Sequence, residues 1–446
     1  MRGHRIFAGL LAAGTLLRAV AMLGYRPALW FNDSYDYVRI GLGPFAHPIR
    51  PAGYGIFLWL LKPFHSFGLV VAVQHLLGLA VGVLVYLLLR RRGLPGWGAS
   101  LAAAPVLLDG NLIELETLIL SDTLFLFLLA SGLAVLLWRG PSWAAGLLLA
   151  AATLTRTIGL PVLLVVLAWL LLRRRWRALG TVAAAGLLPL AAYAVWFHSA
   201  NDRYALTATD GVFLWARTAA FATCTGVPDD LRYLCPAGEP GERKASSSQV
   251  WAPESPIGWT YGEAFDPKVN ADAQRFALTT IAHQPLDYLR TAAHDLFART
   301  FAWSHGDHPT RVTAEKYRFP VRAEPFPGWP VLGGGTPSSV ATAYDPSAGT
   351  EAVRPWSSFL RGYQAVFQVR GPMLAAVLLV PFGVWWRRRR RPEMLAWTVA
   401  AVLLAVPPLT VDFDHRYVLT AVPFAALAAG LAFQRPAAPL ASRTAE

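Results

Sequence analysis

Charged residues are scarce in this chain of 446 amino acids, because only 15% of its side chains are Asp, Glu, Lys or Arg while 55% are hydrophobic. Ordinary soluble domains carry about 25% charged residues. The low charge, with a mean hydropathy of +0.40, excludes a protein built only from soluble domains and predicts an integral membrane protein. The apolar content also excludes intrinsic disorder, and two cysteines are too few for a disulfide scaffold.

Nucleotide-binding motifs are missing as well. The sequence has no P-loop, and no GxGxxG follows a predicted strand. Energy from ATP is therefore not indicated, which leaves a pre-activated membrane donor or passive transport. One metal-like pattern, His305-Gly-Asp-His308, is present. Two histidines and one acid in a polar loop are more typical of a surface segment than of a metal site.

The net charge of +13 is concentrated in arginine clusters beside apolar runs. These clusters are Arg90–Arg92, Arg139, Arg173–Arg175 with Arg177, and Arg387–Arg391, with Arg2, Arg5, Arg435 and Arg443 near the termini. Positive charge confined to short loops is the pattern of cytoplasmic loops in multispanning proteins. The distribution therefore indicates a membrane topology and no nucleic-acid partner.

Ten apolar runs predict a mainly α polytopic membrane protein with about ten transmembrane helices. The runs are 5–25, 67–89, 94–110, 117–138, 142–155, 157–172, 178–198, 363–386, 394–411 and 417–433. If the N-terminus lies in the cytoplasm, this count places every arginine cluster on the cytoplasmic side. We expect the first run to be a retained helix and not a signal peptide, because Arg18 interrupts it and no clean cleavage site follows. The runs 142–155 and 157–172 are short, and they predict half-length or tilted helices.

Two polar segments are predicted outside the membrane. Residues 26–66 form a first external loop in an N-terminal transmembrane module, 1–198. Residues 199–362 form a small extracytoplasmic domain, and 363–446 supply the last helices and a cytoplasmic tail. Within the loop, the apolar stretch Pro51–Leu61 is too short to cross the membrane, so it predicts an interfacial helix. A helix packed on the soluble domain is the alternative.

The two cysteines both fall in the predicted extracytoplasmic domain. Cys224 and Cys235 are separated by a short loop, and an oxidising compartment would allow them to pair. We expect a disulfide worth about 2–3 kcal/mol. The alternative is two buried free thiols.

Carboxylates near the outer ends of predicted spans are the first candidates for chemistry. Asp33 and Asp36 follow the first span within a few residues, and Glu114 and Glu116 precede the fourth. Asp122 lies inside an apolar run, where an ionisable group costs about 2.5–3.5 kcal/mol and usually lines a cavity or meets a partner. Asp122 is therefore a functional candidate, with capping of the helix start as the alternative.

Isolated basic residues lie on the same predicted side. Arg156 stands at the outer end of two short spans, Arg416 opens the last span, and Arg50 and Lys62 flank the apolar stretch of the first loop. The planar guanidinium binds phosphate bidentately, and at headgroup depth it suits a lipid phosphate. Snorkelling towards the interface, or pairing with Asp412 or Asp414, is the alternative for Arg156 and Arg416.

Five passages, in this order and on this topology, resemble the GT-C superfamily of glycosyltransferases that use polyprenyl-phosphate sugars. The passages are Asn32–Asp36, His47–Tyr54, Leu120–Phe125, Leu154–Gly159 and the Arg416-Tyr417 pair with Pro423. The resemblance covers about residues 1–200 and 363–433. It is nearest to the branch that contains protein O-mannosyltransferases and lipid A aminoarabinose transferases. That family usually has two adjacent acids in the first loop, whereas here Ser34 follows Asp33 and the second acid is Asp36.

The resemblance implies an inverting glycosyltransferase of a bacterial cytoplasmic membrane, with its active site facing outside. Its partners would be membrane lipid, a polyprenyl-phosphate sugar donor, and a glycan, lipid or protein acceptor. Asp33, or alternatively Asp36, would be the general base. The lipid phosphate would be bound by Arg156 and Arg416, with Lys62 and Arg50 as further candidates for phosphate binding. The residues expected to position the acceptor or a cation are Asp122, Glu114, Glu116 and His47.

No cofactor is firmly implied, although several acids on one face leave room for a divalent cation. Two other classes of protein stay open. A transporter or flippase of a lipid-linked saccharide would explain polar residues in the spans, but it predicts inverted repeats with broken helices at the midplane, and the sequence shows no repeat. An envelope scaffold would hardly be affected by the loss of Asp33.

Overall fold

The structure is a computed structural model that describes residues 2–252, 255–257, 266–388 and 393–434. It is mainly α-helical. The helices are α1 (Arg2–Gly24), α2 (Ser34–Leu42), α3 (Gly53–Leu61), α4 (Phe67–Arg91), α5 (Gly96–Leu108), α6 (Gly110–Thr117), α7 (Asp122–Leu137), α8 (Ser142–Thr155), α9 (Gly159–Leu172), α10 (Trp176–Asn201), α11 (Asp210–Ala219), α12 (Ser246–Trp251), α13 (Pro267–His283), α14 (Pro285–Ala293), α15 (Arg311–Glu315), α16 (Pro337–Tyr344), α17 (Trp356–Val366), α18 (Gly371–Arg388), α19 (Leu395–Thr410) and α20 (His415–Ala432). Strands β1 (Tyr25–Pro27) and β2 (Thr350–Ala352) pair antiparallel. Single turns of other helix types cover Lys62–Phe64, Asp229–Leu234 and His294–Arg299.

Each of the ten predicted apolar runs contains an apolar helix or helices. Among the described residues, α1, α4, α10 and α20 are long and apolar enough to cross a membrane, and α17 with α18 forms a fifth candidate bent by 51°. The other runs correspond to α5, α7, α8, α9 and α19, which contain 13 to 16 residues. At about 1.5 Å per residue these helices are shorter than the roughly 30 Å hydrocarbon core. The chain is therefore a multi-pass membrane protein with four or five full-length candidate spans.

Two predicted runs differ from the helices that occupy them. Helix α6 ends at Thr117, and run 117–138 becomes helical only at Asp122, where α7 begins. Between them the backbone bonds with the first loop, since Leu29 N–H donates to the carbonyl oxygen of Thr117 and Ile119 N–H donates to that of Leu29. Run 363–386 is split between α17 and α18. At this break a side chain on Gly371 would collide with the carbonyl oxygen of Ala302, at 2.3 Å from a built Cβ. Contacts with distant segments therefore end both helices.

Helix α20 lies at the centre of the helical bundle. Its apolar window is 83% buried inside the protein, against 28% for the first helix. One continuous core joins it to α4, α5, α7 and α19, through residues such as Leu403, Val422 and Leu427. Helix α20 therefore packs against several other helices, and its first turn lies at the end of the bundle that also carries the first loop and segment 199–362.

The loops at that end contribute to several hydrophobic cores, of which two are large. A first core joins α1, α2, α4 and α6 to the second half of segment 199–362, through residues such as Tyr317, Phe319 and Tyr344. A second core lies around α11 and α13, with Trp215 and Phe276 at its centre. The Cys224–Cys235 disulfide is present beside this second core, which confirms the predicted pairing.

Helix α3 has two different faces. Tyr54 and Leu58 are buried, and the carbonyl of Leu58 accepts a hydrogen bond from Tyr344 Oη at 2.7 Å. The opposite face exposes Trp59 and Leu60, and Phe64 follows it in the next turn. The helix therefore packs on segment 199–362 with one face and leaves an apolar face uncovered, which combines the two readings of Pro51–Leu61.

Candidate functional site

Asp33 immediately precedes α2, and its carboxylate binds two arginines. Oδ1 accepts from Arg50 Nη2 at 2.6 Å, and Oδ2 accepts from Arg416 Nη1 at 2.8 Å. Arg416 is 383 positions away in the sequence, in the first turn of α20. Asp33 is only 7% exposed. Burial raises the pKa of its carboxyl, but the charges of Arg50 and Arg416 outweigh burial and hold that pKa at about 2.

Asp36 lies one turn further along α2, beside His47 and Arg50. Its Oδ2 accepts from Arg50 Nε at 3.4 Å, and its Oδ1 lies 3.7 Å from His47 Nε2. His47 Nδ1 accepts from the backbone N–H groups of Ile49 and Arg50. A neutral imidazole with Nδ1 as acceptor carries its proton on Nε2, which points towards Asp36. Burial raises the pKa of Asp36, but His47 and Arg50 lower it overall.

Asp122 and Arg156 form a second ion pair close to the first. Asp122 opens α7, and its Oδ1 accepts from Arg156 Nη1 in the turn between α8 and α9. The start of α3 lies against this turn at Gly53, where a side chain would meet the carbonyl oxygen of Leu154 at 2.5 Å. The close approach requires glycine and brings the end of the first loop to Arg156.

Tyr417 joins the two ion pairs. Its ring centroid lies 5.3 Å from Arg156 Cζ and 5.4 Å from Arg416 Cζ, so one aromatic ring contacts both guanidinium groups. Arg416 also lies 5.0 Å from the ring of Phe31. These contacts hold the two cations together despite their repulsion, because cations are attracted to aromatic rings. We call the combined group the Asp33 cluster, made of Asp33, Asp36, Arg50, Asp122, Arg156 and Arg416.

Glu114 is the one candidate acid with no hydrogen-bond partner for either carboxylate oxygen among the described residues. It lies in α6 and is 1% exposed. Burial, with a smaller effect from the charge of Asp122, raises the pKa of Glu114 well above its usual value. The carboxyl of Glu114 is therefore a weaker acid than an exposed glutamate, and it lies near enough to Asp122 of the Asp33 cluster to feel its charge.

Two other predicted site residues form their bonds elsewhere. Glu116 accepts from Arg18 at 2.7 and 2.6 Å and lies 2.8 Å from His75 Nδ1, which ties α6 to α1 and α4. Lys62 Nζ donates to the carbonyl oxygen of Leu42 at 2.7 Å. The structure therefore gives Glu116 a place in the packing of the helices and leaves Lys62 outside the contacts of the Asp33 cluster.

Segment 199–362 contributes residues that sequence analysis missed. Tyr317 Oη donates to Asp414 Oδ2 at 2.8 Å, and Lys316 Nζ donates to Asn32 Oδ1 at 2.7 Å, beside Asp33. Tyr37 Oη and Ser121 Oγ, 2.9 Å apart, link α2 to the start of α7. The local sequence around Lys316 and Tyr317 carries no motif, so only the tertiary contacts identify these two residues.

The histidines of the His305–His308 pattern have other neighbours. His308 Nε2 lies 3.0 Å from Asp412 Oδ1, and His305 stacks on His415 with ring centroids 4.4 Å apart. Within the described ranges, no group of three or more His, Cys, Asp or Glu side chains is arranged to hold a metal ion.

The Asp33 cluster combines three carboxylates with three guanidinium groups in a buried setting. A carboxylate can take a proton from a hydroxyl group, and guanidinium groups can neutralise a phosphate. Both functions are available within one group of contacting side chains. In comparisons with known proteins, no family model, curated protein or solved structure matches the chain.

Proposed function

We propose that the protein is an integral-membrane inverting glycosyltransferase that moves a sugar from a polyprenyl phosphate to an acceptor hydroxyl group. The observation that carries this proposal is the contact of Asp33 with Arg50 and Arg416, next to the Asp122–Arg156 pair. Sugar transfer from a lipid phosphate needs one base and several cations. The Asp33 cluster supplies both at the end of a membrane bundle.

The arginines are suited to the departing phosphate. A phosphate monoester is already a good leaving group, so its departure needs charge stabilisation more than a general acid. Arg156 and Arg416 converge on Tyr417 and present planar donors for bidentate binding. Fixed positive charge in a buried site stabilises developing negative charge more strongly than it would in water.

Asp33 is the base in this proposal, and donor binding would activate it. While both oxygens accept from arginines and the pKa is about 2, the carboxylate is a weak base. A donor phosphate that attracts Arg416 weakens the stabilisation that this arginine gives to the ionised carboxylate, and so raises the pKa of Asp33. The carboxylate then takes the proton of the acceptor hydroxyl, the acceptor oxygen bonds to the anomeric carbon, and the bond from that carbon to the phosphate oxygen breaks. A positioned base contributes about 10²–10⁴-fold.

The remaining residues would bind the rest of the substrates. Asp36 with His47, and Asp122 with Glu114, would position the acceptor or the sugar. The uncovered apolar face of α3 would border the prenyl chain, because it combines Trp59, Leu60 and Phe64 on one side of the helix. Segment 199–362 would cover the site and select the acceptor.

Helix direction supports an outward-facing site. Helices α7 and α9 begin beside Asp122 and Arg156, and they end before Arg139 and Arg173–Arg175. The arginine clusters thus lie at the opposite ends of the same helices from the Asp33 cluster. Because clusters of this kind are typical of cytoplasmic loops, this arrangement supports the proposal that the site faces the extracytoplasmic side of a bacterial cytoplasmic membrane.

A transporter or flippase of a lipid-linked saccharide is the second candidate. The 51° bend between α17 and α18 favours it, because broken helices are common in transporters. Transporter breaks lie near the bilayer midplane, however, whereas here the backbone N–H of Gly371 bonds to Ala302 in segment 199–362. The bend therefore fits a helix that leaves the membrane surface better than a transport site.

A donor panel tests the enzyme proposal. Purified protein is incubated with radiolabelled prenyl-phosphate sugars, and loss of label from the lipid is followed. We expect release from at least one donor, and we expect Arg416→Lys to lower kcat/KM for that donor about 10–100-fold, because lysine keeps the charge but loses the planar fork. Asp229→Asn, at a 92% exposed side chain in segment 199–362, is the matched control. If the folded protein releases label from no donor, the transport proposal takes its place.

A further inference from the structure

The short segment between α19 and α20 connects segment 199–362 to the Asp33 cluster. Asp412, its first acid, is buried, and its carboxylate has three hydrogen-bond contacts with segment 199–362 and a fourth from the neighbouring N–H of Phe413 at 2.7 Å. Ser247 donates through its backbone N–H at 2.9 Å and through Oγ at 3.0 Å, and His308 Nε2 lies 3.0 Å from the other carboxylate oxygen. We call Asp412, Ser247 and His308 the Asp412 clamp.

The same segment is fixed a second time at Asp414. Its Oδ1 caps α20 by accepting from the backbone N–H of Arg416 at 3.2 Å, and its Oδ2 accepts from Tyr317 Oη at 2.8 Å. The Tyr317 ring stacks on Phe31 at 5.2 Å, and Phe31 in turn contacts the guanidinium of Arg416. Each acid of the segment is therefore bonded to segment 199–362, while Arg416 points to Asp33.

We propose that the Asp412 clamp is a positioning device that sets the location of the Arg416 guanidinium relative to Asp33. Asp412 and Arg416 are four residues apart, and a chain of that length spans at most about 14 Å. Because Asp414, two residues after Asp412, caps the first turn of α20, a displacement of Asp412 also shifts this turn. The role of Arg416 towards phosphate rests on the proposed function, whereas its mechanical coupling to Asp412 does not.

The clamp acts through hydrogen bonds of an ionised acid. Burial raises the pKa of Asp412, but His308 and the N–H of Ser247 outweigh burial, so the pKa is lowered overall. An asparagine at this position can still accept both bonds from Ser247 and can donate to Nε2 of His308 when that nitrogen is the acceptor, and it loses only the bond from the N–H of Phe413. Asp412→Asn should therefore keep the clamp, whereas Asp412→Ala removes it.

The test is a double-mutant cycle between Asp412→Ala and Arg416→Lys, in the full-length protein. We expect Asp412→Ala to lower kcat about 10–100-fold and to leave the KM of the acceptor unchanged, since a misplacement of about 1 Å can cost as much as 100-fold. Asp412→Asn should restore most of the rate. Adding Asp412→Ala to Arg416→Lys should cost little more, because residues that act as a unit are not additive.

Independent effects of the Asp412 and Arg416 substitutions on the rate would overturn the proposal. If Asp412→Ala keeps the kcat of the wild type, or if its effect multiplies fully with that of Arg416→Lys, the clamp does not position Arg416. A rise in acceptor KM alone would assign Asp412 to the acceptor site instead. Ser247→Ala and His308→Gln are milder variants that weaken the clamp if Asp412→Ala fails to fold, and Asp229→Asn is the exposed control.

A second measurement needs no substrate. The apparent melting temperatures of the same variants are measured in detergent. We expect the shift of the double variant to be smaller than the sum of the shifts of the two single variants. Additive shifts would refute the coupling. Absence of sugar transfer by the wild-type protein would count against the proposed function, while the melting temperatures would still decide for or against the clamp.

Discussion

At the scale of single residues, the main result is that Asp33 has two arginine partners from opposite parts of the chain. Sequence analysis could select Asp33 and Arg416, because an acid and an arginine at the ends of apolar runs are costly and need a partner. It could not pair them, since nothing in the local sequence links positions 383 residues apart. Tyr317 could not be selected as a site residue from the sequence, because it lies in a polar segment without a motif.

The low pKa of Asp33 predicts how stability depends on pH. The pKa is about 2 in the folded protein and about 3.9 for an unperturbed aspartate, so the folded state binds the proton less tightly than the unfolded state. The stabilisation is complete above about pH 4 and is lost as the pH falls towards 2. Its size is about 2–3 kcal/mol, from roughly 1.4 kcal/mol per pKa unit.

Thermal unfolding in detergent between pH 6 and pH 3 checks this prediction. The melting temperature of the wild type should fall below about pH 4 more steeply than that of Asp33→Asn, which lacks the titrating group. Asp229→Asn should follow the wild type. If the melting temperatures of the wild type and of Asp33→Asn fall in parallel as the pH is lowered, the pairing of Asp33 with Arg50 and Arg416 is contradicted.

At the scale of elements, hydropathy predicted where the apolar helices lie but not where two of them break. Runs 142–155 and 157–172 correspond closely to α8 and α9, because the turn at Arg156 is visible in the sequence. The gap between α6 and α7 depends on backbone bonds to Leu29, and the bend before α18 depends on contact with Ala302. Such breaks are set by tertiary contacts that a hydropathy window does not include.

Helix α6 provides a prediction about packing. Glu116 lies between Arg18 and His75, and it fits only because α4 has a glycine at position 78, where a Cβ would lie 2.0 Å from Glu116 Oε1. Gly78→Ala should displace the carboxylate and break this buried pair. Loss of a buried ion pair costs about 3–5 kcal/mol.

The matched control is Gly180→Ala in α10, where a Cβ would have no atom within 4 Å. It should be neutral or stabilising, because alanine is the better helix former by about 1 kcal/mol. Melting temperatures of the two variants in detergent compare them directly. Equal shifts for Gly78→Ala and Gly180→Ala would show that Glu116 does not need the space beside α4.

At the scale of the whole molecule, the fold brings its first loop and its last helix to one place. Helix α20 is the most buried candidate span, and its first turn carries Arg416 and Tyr417 towards Asp33 and Arg156. Segment 199–362 packs over the same end and fixes Asp412 and Asp414. This arrangement explains why residues scattered over the sequence form one buried group of charges.

The most direct test of the account is the rate of sugar transfer by Asp33→Asn, measured with a radiolabelled polyprenyl-phosphate sugar that the wild-type protein uses. We expect kcat to fall at least about 100-fold, in line with the contribution of a positioned base, in a variant that elutes as a folded protein. Asp229→Asn should keep the wild-type rate. A folded Asp33→Asn protein that transfers the sugar as fast as the wild type would contradict the central claim that Asp33 is the catalytic base.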